Sequence, residues 1–288
     1  MANESQNQTW LDNLNPLKIT EDVKVKDAFI NVASKIHKKS IEEATMIYEK
    51  ESMYFKKALS ANEKLKNCTK ISLYSAFTEI AIQGISIQPG QKSEAYLEAR
   101  GVNIGSRQAP QYIDTAMLRI TAYGELNMRI LSGQIIRMKN PIVLYEGDYF
   151  QPLTNQRGEL YVDYKPNILN RSPKIYGAWV CIELPGNSLD FKWLLGDDIA
   201  RLKGYSGKQG SGNALYTSDN GQIDPGFLEA KTIKHAMRAY TKLRVSDVAA
   251  FEDETTDEEK EHEPFGEPAQ APAPVGAVKI EINKDEPF

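Results

Sequence analysis

Apolar residues recur every three to four positions through the first eighty residues of this chain, then give way to alternating and short continuous runs. Val25, Phe29, Val32, Ala33 and Ile36 predict a first helix over 23–37. Ser40 and Glu43 fit a capping box, in which hydroxyl and carboxylate each accept the other residue's backbone amide. The helix behind them is expected to reach about Ala61, with Ala44, Ile47, Met53, Phe55, Ala58 and Leu59 on its apolar side and Lys50, Lys56 and Lys57 on its wet side. Ser72 is a candidate cap for a third helix, Leu73 to Ile82, closed by Gly84.

Beyond Ile85 the pattern changes. Ile87-Gln88-Pro89-Gly90 reads as a turn, 95–99 as a strand and 100–111 as a loop. Residues 113–131 are ambiguous in period, although Leu118, Ala122, Leu126 and Ile130 fit a helix that Gly133 would end. Strands are predicted at 135–136, 142–145, 160–164, 176–184 and 189–194, with a turn at Glu146-Gly147-Asp148. Trp179 and Trp193 are expected in the core. A short helix is expected at 197–202 and a flexible Gly/Ser/Asn-rich surface loop at 203–221. The last helix should run from about Phe227 to Leu243.

The fold class is therefore α+β: a helical N-terminal section, a small central antiparallel or mixed sheet, a closing basic helix and a disordered acidic C-terminal tail. Residues 1–20 read as a flexible arm whose Trp10, Leu11 and Leu14 could dock on the body or a neighbouring subunit. Residues 21–250 form the main domain and 251–288 the tail. From Glu252 onward there are twelve acids and three lysines, a net charge of -9. The whole chain carries -4, so residues 1–251 carry +5: an acidic total hides a mildly basic body. Cys68 and Cys181 sit apart in apolar segments and read as reduced and buried. The polar start is unlike a signal peptide, and no apolar stretch is long enough to span a membrane, so a cytoplasmic protein is expected.

No catalytic constellation can be assembled, and the chain is not expected to be an enzyme. His37, His235 and His262 lack metal-ligand spacing with the cysteines. There is no phosphate loop ending in Gly-Lys-Ser/Thr. Asp190, Asp197 and Asp198 could hold magnesium, but helix capping explains Asp197 or Asp198 more simply; no cofactor and no metal is expected. The cations say more. Lys231, Lys234, Arg238 and Lys242 fall at steps of three, four and four, hence on one helix face, and no acid occurs from Ala230 to Val245. Such a stripe suits repeating phosphates without regard to base. Arg119, Arg129, Arg137 and Lys139, with Arg107 before them, form a second basic group; Tyr112 and Tyr123 lie among them as candidate stacking surfaces.

With these residues in view, the chain resembles the RecT family of phage single-strand annealing recombinases, related to the phage lambda Beta protein. The likeness runs in order through Leu73-Tyr74-Ser75-Ala76-Phe77, residues 85–90, Glu94-Ala95-Tyr96-Leu97 and Ala122-Tyr123-Gly124. It continues through Ser132-Gly133-Gln134-Ile135 and residues 143–150, and closes on the basic segment 231–242. Ile130 and Leu131 stand where that family often carries two basic residues.

The resemblance implies ATP-independent binding of single-stranded DNA and annealing of complementary strands by a ring or helical filament of the protein. The expected partners are single-stranded DNA, the annealed duplex and the protein itself, with a partner exonuclease or host DNA-repair proteins beyond them, and no membrane. A phage origin would place the protein in the bacterial host cytoplasm. The Lys231–Lys242 stripe would neutralise phosphates, the second group would complete the groove, and Tyr123 would stack a base. Asp285, Glu286, Pro287 and Phe288 resemble the acidic Pro-Phe tip of bacterial single-stranded-DNA-binding proteins and are candidate partner-docking residues. Two other readings stay open: an oligomeric protein-binding or structural module, and a metal-dependent DNA-processing enzyme.

Overall fold

Short polar side chains open most helices of the chain, and their positions set its architecture. The computed structural model describes residues 10–208 and 212–240. Asp22 caps helix α1 (Val23–His37), and Ser40 with Glu43 completes the capping box of α2 (Ile41–Ala61). Asn62 caps the single-turn α3 (Glu63–Lys66), and Thr69 caps α4 (Lys70–Gln83). Thr69, not Ser72, is the cap because Ser72 Oγ is committed elsewhere: it donates to Thr69 O at 2.8 Å and accepts from Ala116 N at 2.9 Å. Gly84 closes α4 at φ +65°, a conformation that side chains disfavour, and a Cβ there would also strike the His37 ring at 2.6 Å.

Helices α1, α2 and α4 meet around Phe29, Phe55 and Phe77, whose rings approach to 4.7 and 5.0 Å about Phe77. All three are fully buried, and each contributes about 1.5–3 kcal/mol by its removal from water. The described part of the arm, residues 10–20, docks on this core. Leu11 and Ile19 are buried, a 3₁₀ turn spans Pro16–Glu21, and Trp10 Nε1 donates to Asp22 Oδ2 at 3.3 Å. A buried carboxylate that the sequence pattern did not reveal ties α2 to the turn after α4. Glu51, 1 % exposed, accepts from Ser86 Oγ at 2.6 Å and Ile87 N at 2.9 Å. Met53, expected on the apolar side of α2, instead faces solvent.

Strands β1 (Ala95–Asn103) and β2 (Tyr112–Ile120) form an antiparallel hairpin whose Ala95, Leu97, Ala116 and Leu118 join the helical core. The expected loop therefore shrinks to 104–111. The ambiguous stretch resolves into β2 followed by α5 (Ala122–Leu131), capped by Thr121. Leu118 fits both periods, which is why a helix pattern could be read through a strand. Gly124 packs so tightly that a Cβ would lie 2.2 Å from Glu94 O; only glycine fits between α5 and the start of β1.

The second half is a sheet. β7 (Ile175–Leu184) pairs antiparallel with β3 (Arg137–Met138), β4 (Ile142–Tyr145) and β8 (Ser188–Leu195). β7 alternates between two cores. Val180 and Ile182 pack toward α5 and α7 (Pro225–Met237), and Ala178 packs with Leu194, Leu202 and Leu228. Trp179 and Cys181 face the opposite way, toward a separate hairpin of β5 (Tyr149–Thr154) and β6 (Leu160–Lys165), which supplies Phe150, Leu160, Val162 and Tyr164. Trp193 packs beside them. β5 was not legible because Pro152 interrupts it, which a two-stranded ribbon tolerates.

The expected flexible loop is also corrected. Helix α6 runs Gly196–Lys208, a 3₁₀ turn spans Ala214–Tyr216, and Leu202, Tyr216 and Ile223 are buried together. α7 ends at Met237, six residues before the expected Leu243; i→i+3 bonds from Arg238, Ala239 and Tyr240 tighten the chain there. The acidic tail expected at 251–288 lies outside the described residues.

Candidate nucleic-acid interface

Helix α7 is positioned by a cap at one end and a sheet beneath it. Asp224 Oδ1 accepts from Phe227 N at 2.7 Å and Pro225 occupies the first turn. Leu228, Thr232, Ile233, Ala236 and Met237 are buried. The helical period then fixes the remaining face: Lys231 and Lys234, both half-buried, and the exposed Arg238 stand opposite the buried side. Lys231 Nζ lies 5.1 Å from the Phe227 ring centroid, which holds the lysine stem along the helix. Arg238 is exposed as the C-cap residue rather than a mid-helix position. Lys242 falls outside the described residues, as do Asp285, Glu286, Pro287 and Phe288.

Cations from other elements gather at the C-terminal end of α7. His235 is half-buried, and its pKa is lowered, first by burial and then by Arg238, with Arg201 and Lys192 acting the same way and Asp198 opposing them. Lys192 of β8 pairs with Asp190 at 2.9 Å, and Arg201 of α6 with Asp198 at 2.8 Å. The field around this imidazole is nonetheless positive enough to add to desolvation. Lys192 and Arg201 are thus further cations close to this end of α7. The sequence could not nominate them, because only the packing of β8 and α6 beside α7 brings them to it.

The second basic group is dispersed. Arg129 is 3 % exposed inside α5; its guanidinium donates to the Glu125 carbonyl at 2.9 Å and pairs with the Glu125 carboxylate. That placement withdraws it from the surface. Arg119 is largely covered and pairs with Glu98 across the β1–β2 ribbon. Arg137 is exposed but bidentate to Glu183, at 2.5 and 2.7 Å, and Lys139 lies exposed beside the same carboxylate. Arg107 is exposed in the 104–111 loop. Tyr123 is half-buried against the α5–α7 core with Lys92 Nζ 5.8 Å from its ring centroid, so much of its face is already used. Tyr112, at the hairpin end, is the more open ring. The structure brings together Lys231, Lys234 and Arg238, and separately Arg137 and Lys139; Arg107 and Arg119 sit on a different ribbon.

The acids proposed for magnesium are engaged in other bonds. Asp190 accepts from Tyr240, Lys192 and Phe191 N, and Asp198 from Arg201 and Leu195 N. Among the described residues no group of three or more His, Cys, Asp or Glu is arranged to hold a metal ion. Cys68 and Cys181 are buried free thiols; burial, then Asp114, pushes Cys68 up to about 11. Among the described residues no helix is long and apolar enough to cross a membrane. Compared with known proteins, the chain matches no family model and no curated sequence.

Proposed function

We propose that the chain binds single-stranded DNA and anneals complementary strands without ATP, as an oligomer of the RecT type. The observation that carries this reading is the face of α7, where Lys231, Lys234 and Arg238 stand outside an apolar base and are flanked by Lys192 and Arg201. A phosphate backbone laid along this face would be held without base contacts, leaving the bases free to pair. The resemblance of ordered segments to the RecT family supports the same reading. Pairing of the two strands supplies the driving free energy, so no nucleotide hydrolysis is needed. Arg137, Lys139 and Arg107 extend the proposed contact surface, while Arg129 and Tyr123 serve the fold.

The test is fluorescence anisotropy on a single-stranded oligonucleotide across a salt series, with annealing followed in EDTA without ATP. Neutralising Lys234 and Arg238 should weaken binding to all sequences alike and flatten the log–log salt dependence by roughly 0.7 for each phosphate that is no longer neutralised. Salt-independent binding, or annealing that needs a divalent metal and yields cleaved strands, would overturn the proposal.

A further inference from the structure

Strand β1 has an outer edge made of unbonded backbone. Ile104 N donates to Gln111 O at 2.7 Å and Thr121 N to Glu94 O at 2.9 Å. With the register of the ribbon, these bonds turn the even-numbered residues of β1 toward β2 and the odd-numbered ones away. Ser93 Oγ closes the outward side at Ala95 O. Beyond it, among the described residues, nothing bonds the outward amides and carbonyls of Leu97, Ala99 and Gly101. Several other edges are blunted. On β2, Asp114 O accepts from Thr69 N and Ala116 N donates to Ser72 Oγ, both at 2.9 Å. On β8, Asp190 accepts from Phe191 N at 2.8 Å and Asp198 from Leu195 N at 3.3 Å. Asp148 accepts from Tyr145 N of β4 at 3.1 Å, and Pro152 removes a donor from β5.

The core-facing side of β1 thins toward this open edge. Leu97 is buried and Ala99 packs at the rim of the helical core, but Gly101 is exposed. A Cβ built at Gly101 would meet nothing closer than 3.9 Å, and one atom at that distance belongs to the Tyr112 ring, itself 70 % exposed. An apolar side chain laid beside Gly101 would cover that ring and continue the row that begins at Leu97. An open edge of this kind takes an extended segment whose apolar residues recur at every second position. Val278, Ile280 and Ile282 make such a row, with Lys279 and Glu281 between them. Three β-branched residues at steps of two occur nowhere else in residues 1–9, 209–211 and 241–288, the parts of the chain outside the described residues.

We propose that residues 277–283 add to the Leu97–Asn103 edge of their own chain as a third strand of the β1–β2 ribbon. Residues opposite each other in a ladder point to the same side, so Val278, Ile280 and Ile282 would lie beside Leu97, Ala99 and Gly101 while Lys279 and Glu281 face water. Backbone bonds supply the attraction and the alternating row selects the face. The reach suffices: at about 3.3 Å per residue, the stretch 241–276 spans up to about 120 Å. The tether makes the pairing intramolecular and independent of protein concentration. The added strand would close an edge that other copies could otherwise pair with, and residues 284–288 would emerge beside the ribbon.

Hydrogen exchange resolved to single amides, on the full chain without DNA, tests it; the outcome is therefore separate from that of the proposed function. The amides of Leu97, Ala99 and Gly101 should exchange at least about tenfold more slowly in the native chain than in Ile280→Pro, whose proline cannot continue a ladder. Val278→Asp with Ile282→Asp should release the same amides by spoiling the apolar row. The amides of Glu98 and Arg100, which bond to β2, should change far less. Circular dichroism checks that each variant keeps its fold. Equal exchange at Leu97, Ala99 and Gly101 in the native chain and both variants overturns the proposal. So does a release that touches odd and even residues alike, since that reports general loosening of the ribbon. Isotope-labelled Ile280→Pro chains mixed with unlabelled native chains decide the source of the strand. Their labelled amides should stay fast; recovered protection means that a second copy supplies the strand, and overturns docking within one chain.

Discussion

Tyr240 donates its phenolic hydrogen to Asp190 Oδ2 at 2.7 Å, joining the turn after α7 to strand β8. Burial, then this bond and the Asp190 charge, raises the phenol well above its ordinary value of 10.0. The native state therefore keeps a proton that the unfolded chain gives up. The contribution is whole below the unfolded value and is lost as pH rises from about 10 toward the folded one. Tyr240→Phe should cost about 1.5–3 kcal/mol at neutral pH, the usual scale for a bond to a charged acceptor, and should flatten the alkaline fall in stability. Urea denaturation at neutral and alkaline pH measures both. Unchanged stability at neutral pH would show that the bond contributes nothing.

Arg129 separates structural cations from binding ones. Its ion pair with Glu125 lies within α5, with the arginine side chain almost wholly enclosed. Arg129→Met keeps much of the stem and removes the charge. It should lower stability by about 1–3 kcal/mol, since the Glu125 carbonyl and carboxylate lose their donor, and leave the DNA affinity of the folded fraction unchanged. Lys234→Gln should do the reverse. Comparing thermal unfolding with anisotropy for the two variants distinguishes the roles; a large affinity loss in Arg129→Met at native stability would place that residue on the DNA.

Local signals carried most of the architecture. Ser40 and Glu43 announced α2, Gly84 the end of α4, and the apolar spacing of α1 matched its observed bounds. Where tertiary contacts decided, the pattern misled. Leu118 served two periodicities, Ser72 was diverted to Ala116 N, and Tyr240 turned away from the helix axis toward Asp190. Lys231 and Lys234 of the expected stripe were legible because one helix sets them, whereas Arg238 is the cap beyond it and Lys242 lies outside the described residues. The second basic group was not, because acids distant in sequence decide its exposure: Glu98 for Arg119 and Glu183 for Arg137. Lys192 and Arg201 had no signal at all.

His235 links the proposed interface to pH. In the free protein its pKa lies below the ordinary 6.5, because burial is reinforced by Arg238, Arg201 and Lys192 against Asp198 alone. By itself this depressed value contributes stability above the unfolded pKa that is lost as pH falls through the folded one. A phosphate placed among the three cations would offset their repulsion and raise the histidine's pKa. Between the free and bound values the complex holds more protons, so affinity should increase as pH falls through that interval, whose lower end lies below 6.5. His235→Gln should flatten that rise while leaving the affinity at pH 8 close to native. A flat native profile would place the phosphates away from this end of α7.

The charge split between body and tail makes the last prediction. Residues 252–288 carry -9 against +5 for residues 1–251, so by charge the tail would compete with phosphates for the proposed cationic surface. Deleting residues 252–288 should tighten binding to single-stranded DNA, with a larger gain at low salt, because screening shortens the reach of the competing charges as ions are added. Charge alone predicts that scrambling the tail sequence changes nothing. Phe288→Ala, which preserves every side-chain charge, then isolates the aromatic ring: if the Asp285-Glu286-Pro287-Phe288 segment docks a DNA-repair protein through that ring, it should leave affinity and annealing rate intact yet abolish the capture. Equal affinity of the deletion and the full chain at both low and high salt would remove the competition. Capture that survives Phe288→Ala but not the deletion would assign the docking to acidic charge rather than to the ring.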